Sequence, residues 1–168
     1  MPVPPIIYAS GVVLEGAAAY GLRQREFRVV KKAAYYAAGK VYRDVIIPRH
    51  FGEQAAGRYG YQQRSKAYRR YKRIKRGHGR PLEFSGRGKQ DAMTNVRLIA
   101  TSNKLTVRIK APVFNYRRSA NAPNMREELQ TVVNEDIGDM NRAFREGFRK
   151  VVQTVARRHK VRYRLRAG

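Results

Sequence analysis

The sequence predicts an α+β fold: two long amphipathic helices packed with a small antiparallel sheet, with a long basic arm and an extended N-terminus. Three observations predict it. Apolar residues recur every three or four positions over 22–46 and again over 136–159, the period of a helix with one buried face. Between these stretches Leu105, Val107 and Ile109 alternate with Thr106, Arg108 and Lys110, the period of a half-buried strand. The 23 residues 58–80 hold ten Lys or Arg and no Asp or Glu, which fits neither pattern and reads as a basic arm. The expected organisation is an extended segment over 1–21, a single α+β domain over 22–159 that includes the arm, and a basic tail over 160–168.

Taken in order, Pro2, Pro4 and Pro5 keep the N-terminus extended. Residues 6–14, IIYASGVVL, are rich in β-branched side chains and broken by Gly11, which suits a short strand or a segment laid across a neighbour's surface. In the first helix Phe27, Val30, Ala34, Val41 and Val45 form the inner stripe, with Arg23, Arg28, Lys32 and Lys40 between them. Ala33, Ala34, Ala37 and Ala38 allow another helix to come close. Pro48 is expected to end this helix at Ile46, because proline lacks an N–H and disfavours helix in the residue before it. Residues 50–57, HFGEQAAG, are too short for an independent element.

After the arm, Pro81, Gly86 and Gly88 mark a turn where the chain re-enters the body, with one helical turn around 90–93. Residues 96–100 and 104–111 form a hairpin across Thr101, Ser102 and Asn103. An edge or interface segment over 112–116, a loop over 117–124 and a shorter helix over 125–133 follow. The second long helix begins among Glu135, Asp136 and Asp139 and ends at Arg157, Arg158, His159 and Lys160, in keeping with the helix dipole. The tail KVRYRLRAG alternates like a basic edge strand.

The chain carries 37 basic and 12 acidic side chains, a net charge of +25, far beyond the magnitude of about 2 to 8 that suits a small domain alone. Self-repulsion on that scale calls for an anionic partner. At 168 residues one core is affordable, since a chain of about 150 residues buries roughly 68 to 70% of its extended surface. Much of the apolar content is Ala and Tyr, however, so the core is modest and oligomerisation would add to it. The lack of cysteine excludes disulfides, thiolate metal sites and cysteine nucleophiles. No run reaches the 18 or so apolar residues of a membrane span, and no basic stretch precedes the apolar N-terminal run. The expectation is a protein without a membrane partner that works where it is made.

No constellation points to catalysis, so no enzyme and no cofactor are expected. Gly77, Gly79, Gly86 and Gly88 lack the lysine spacing of a phosphate loop, and His50, His78 and His159 form no metal-ligand pattern. The candidate interaction residues are Arg58, Tyr61, Arg64, Lys66, Tyr68, Arg69, Arg70, Tyr71, Lys72, Arg73, Lys75, Arg76 and Arg80 in the arm, with Leu82, Phe84 and Arg87 behind it. Cations at this density contact phosphate without reading sequence. Tyr68 and Tyr71 suit stacking on bases or anchoring in a protein groove. Leu82 and Phe84 are expected to insert into the body or a neighbour.

The run FRVVKKAAYYAAGKVYRDVI, the stretch YGYQQRSKAYRRYKRIKRGHG, the segment RPLEFSGRGKQDAM and the hairpin VRLIATSNKLTVRIKAP occur in an order that resembles the small tail-component and tail-completion proteins of tailed bacteriophages. These join the head to the tail at the neck. The resemblance covers about residues 22–159, and Pro81, Leu82, Gly86 and Arg87 stand where members often carry a Pro-Leu, Gly-Arg sequence. It implies a structural virion protein assembled in the bacterial cytoplasm, with copies of itself in a ring around the DNA channel. The implied partners are a head-side adaptor or connector and a tail-side ring, with nonspecific contact to packaged DNA. The size of the positive charge departs from the family pattern. The charge leaves two alternatives, a sequence-nonspecific nucleic-acid-binding protein and a basic ribosome-associated protein.

Overall fold

The structure, a computed structural model, describes residues 6–7, 22–115 and 122–166. Its helices and small antiparallel sheet make it α+β, as expected. The chain folds into two compact units: residues up to 41, 98–107 and from 138 onward form one, and 42–97 with 108–137 form the other.

In the first unit helix α1, Gln24–Val41, buries Val30, Ala34, Tyr35 and Ala38. One side of it meets the C-terminal helix through small residues. A Cβ on Gly147 would lie 2.8 Å from the Ala37 Cβ and 3.4 Å from the Ala34 Cα, so the alanine-rich stripe does receive a helix. Edge-to-face pairs flank this crossing, Tyr35 with Phe144 at 4.9 Å and Phe27 with Phe148 at 6.1 Å. Towards the sheet Gly39 lets Leu105 approach, since a Cβ there would be 2.9 Å from its Cδ1. Strand β1, Ile6–Ile7, pairs antiparallel with β3, Leu105–Ile109, and β2, Val96–Ala100, lies on the other side of β3. Ile6 stands opposite Thr106 and Ile7 opposite Leu105. Leu105 and Val107 are buried, as the period of two requires. A strand over 6–14 is therefore found at Ile6–Ile7, while residues 8–14, like most of 1–21, lie outside the described residues.

In the second unit the helix does not stop at Ile46. It widens into a π-helical turn, Tyr42–Ile46, and resumes over Ile47–Arg49 with Pro48 inside it. The wide turn offsets the hydrogen-bond ladder where proline has no N–H to give, so Pro48 is accommodated instead of terminating the helix. One helical turn follows, α2, Ala55–Arg58.

The basic stretch also departs from expectation. Tyr59 and Tyr61 are buried with Ala55, and Leu82 and Val133 pack against them. Residues 58–80 thus contribute to a core, and their middle is helix α3, Lys66–Arg76. The Ser65 hydroxyl accepts a hydrogen bond from the Tyr68 N–H at 3.2 Å, and Gly77, at φ +72°, turns the chain out of the last turn. These are standard start and stop devices.

Helix α4, Arg87–Thr94, runs for two turns where one was expected. It lies against a short 3-10 turn, Pro112–Asn115, which replaces the expected edge segment. A Cβ on Gly88 would be 2.6 Å from Val113 Cγ1, and Phe114 turns inward to meet Phe51 at 6.1 Å. Helix α5, Met125–Gln130, is capped by the Asn124 side chain, which accepts from the Glu127 N–H. Helix α6, Asn134–Arg166, continues seven residues beyond His159, so 160–166 are helical and not an edge strand. No proline interrupts this stretch, and its cations suit the negative end of the dipole. Among the described residues no helix is long and apolar enough to cross a membrane.

Candidate functional site

The aromatic and charged residues around α3 divide into an inward group and an outward group. At the centre of the inward group His50 is fully buried, stacked on Tyr59 at 3.9 Å between ring centres, with its Nδ1 hydrogen-bonded to the Tyr61 hydroxyl. Burial pushes the His50 pKa down to about 4, with Arg58 acting the same way and Asp136 opposing. The Tyr59 hydroxyl is pushed up to about 12, again mainly by burial. Asp136, also fully buried, accepts from Arg49 at 3.0 Å and Arg58 at 3.4 Å. Arg58 reaches Glu135 at 2.7 Å as well. Arg64 donates to Glu128 at 2.9 Å, and the Gln62 N–H donates to the same oxygen at 3.1 Å. Among the expected interaction residues, Arg58, Tyr61 and Arg64 therefore bind this chain's own side chains. Among the described residues no group of three or more His, Asp or Glu is placed to hold a metal ion.

Helix α3 carries the outward group. Lys66, Arg69, Arg70, Arg73, Lys75 and Arg76 are all exposed. Among the described residues none of the six forms an ion pair. Cations stand three and four residues apart along the helix, a spacing at which like charges repel by about 0.2 to 0.5 kcal/mol per pair. Lys72 behaves differently. It is buried, its ammonium donates to the Arg80 carbonyl, and burial lowers its pKa against the opposing field of Glu83. This bond ties α3 to the segment that follows it.

That segment presents Leu82 and Phe84 in different ways. Leu82 has φ +54°, a left-handed conformation that costs a non-glycine residue about 1 to 2 kcal/mol, and its side chain packs on the buried tyrosines. Phe84 stays 38% exposed, so it does not insert into the body of its own chain. Its ring lies nearly parallel to Tyr71 at 6.4 Å and under the Arg76 guanidinium at 4.7 Å. Glu83 between them collects Arg80 at 3.7 Å, Lys89 at 3.6 Å and His78 at 3.9 Å. Arg87 is exposed at the start of α4.

A groove of about 720 Å³ runs beside α3, lined by Tyr68, Tyr71, Leu82, Phe84, Val113, Phe114 and Met125 among others. Val113 and Met125 were not among the candidates from sequence, since both lie far along the chain and in no periodic pattern. Ile74, 73% exposed, lies inside the arm itself but was also missed, since a single apolar residue in a charge run carries no periodic signal. Compared with protein-family models, curated proteins and solved structures, the chain finds no match in any of the three.

Proposed function

We propose that the chain is a structural virion protein of a tailed bacteriophage, a ring-forming component of the head-tail neck. The observation that carries the reading is α3: six exposed cations without an acidic partner among the described residues, held on a packed body beside an apolar groove. Such a helix repels itself until countercharge arrives, and the groove adds contacts that salt does not screen. The order of elements and the Pro81, Leu82, Gly86 and Arg87 positions support the same reading through the family resemblance. Copies of the chain form the ring, and the α3 surface faces an adjoining head-side or tail-side protein.

Exposed Tyr68 and Tyr71 beside the cations favour a second reading, sequence-nonspecific binding of nucleic acid by stacking and phosphate contact. Mass measurement separates the two. The purified chain, alone or mixed with its adjoining ring, is expected to form closed particles of one dominant mass. Charge reversal at Arg69, Arg70 and Arg73 is expected to block attachment to the adjoining ring. A chain that remains monomeric in both settings contradicts the neck role.

A further inference from the structure

We infer that the groove beside α3 takes an acidic protein segment carrying an aromatic or branched aliphatic anchor. This deepens the proposed role by naming the partner's chemistry, and it rests on that role for the partner being a protein.

At about 720 Å³ the groove falls in the range of clefts that enclose a drug-sized ligand, about 300 to 1,000 Å³, which leaves room for large side chains. Leu82, Val113 and Met125 give it aliphatic walls, and Tyr71 and Phe84 give it aromatic ones. A phosphate backbone makes no favourable contact with such walls, and a base engages only the flat rings. An inserted phenylalanine or leucine meets both. Charge selects what flanks the anchor. Arg69 and Arg73 line the adjoining hollow and Arg76 sits over Phe84, all on the helix that has no acid of its own. The nearby carboxylates are already engaged, Glu83 by Arg80 and Lys89 and Glu128 by Arg64. A second copy is a poor occupant, since it brings the same net charge of +25. The complementary partner is a different, acidic chain, docked by an apolar anchor within a charged rim.

Fluorescence anisotropy on the full chain tests this with three labelled probes at about 0.15 M salt. One is a short peptide of glutamates flanking a phenylalanine and a leucine, the second has both anchors replaced by alanine, and the third is a single-stranded oligonucleotide of equal charge. The anchored peptide is expected to bind about tenfold more tightly than the alanine peptide. Ala67→Trp, at an exposed position lining the groove, fills it while keeping every cation. It is expected to abolish that difference without weakening the oligonucleotide. Val113→Gln, on another wall, is expected to reduce it as well. Equal affinity for the two peptides, indifference of both variants, or an oligonucleotide that outbinds the anchored peptide overturns the inference. Equal peptide affinities in a chain that does build a neck ring remove the groove inference alone. Absence from the neck with the tenfold difference intact removes only the proposed role.

Discussion

His50 is held neutral inside the second unit by burial, and this makes the fold sensitive to acid. Its folded pKa of about 4 lies below the ordinary 6.5, so the unfolded chain takes up the proton first as pH falls. The stabilisation is complete above about pH 6.5 and is lost as pH falls through about 4. The full difference is on the order of 3 kcal/mol. Denaturant titrations at pH 7.5 and 4.5 should show this loss in the native chain and a smaller one in His50→Phe, which cannot protonate. A second residue-scale test concerns Lys72, whose ammonium is committed to the Arg80 carbonyl. Lys72→Ala should cost about 1 to 3 kcal/mol, because it removes a buried donor and leaves the carbonyl short of a partner. Lys75→Ala, on the exposed face of the same helix, should stay within about 0.5 kcal/mol. Equal effects would place Lys72 in solvent. Nothing in the charge run KAYRRYKRIKR distinguishes these lysines, because burial of Lys72 depends on a carbonyl eight residues away.

Among the elements, α6 offers an internal control on close packing. Gly147 lies against Ala37 and Ala34, whereas a Cβ on Gly138 would meet nothing within 4 Å. Gly138→Ala should stabilise by about 0.5 to 1 kcal/mol through helix propensity. Gly147→Ala should instead destabilise by about 1 to 3 kcal/mol through overpacking. Thermal melts of the two variants read opposite signs if the α1–α6 crossing is as described. Ser65→Ala should cost about 1 kcal/mol by uncapping α3, visible as lost helical circular dichroism. The long helices and the hairpin were legible because each buries one face, and a period of 3.6 or 2 records that burial directly. Helix α3 was not, since its faces carry mostly charge, although Ser65 and Gly77 stood at its ends as signals. In the sequence Tyr61 reads as an interaction residue, because its partner, His50, is fixed by tertiary contact. The π turn before Pro48 likewise leaves no periodic trace, and the charged alternation after His159 imitated a strand. Of the candidate site, the cations and tyrosines of α3 were legible from composition, while the groove that joins them to Val113 and Met125 depends on the fold.

For the whole molecule, a net charge of +25 and a helix whose six exposed cations form no ion pair among the described residues leave the isolated chain short of countercharge. Nucleic acid will bind it in low salt whatever its role, so retention on DNA alone decides nothing. The claim at this scale is that countercharge and apolar contact come from protein neighbours in a closed assembly. The measurement that tests it most directly is electron microscopy of the native phage particle with this subunit located in the density. The account predicts a closed ring of copies at the head-tail junction, with α3 of each copy against an adjoining acidic protein. Finding the chain instead on free nucleic acid or a ribosome, with no place in the virion neck, would contradict it.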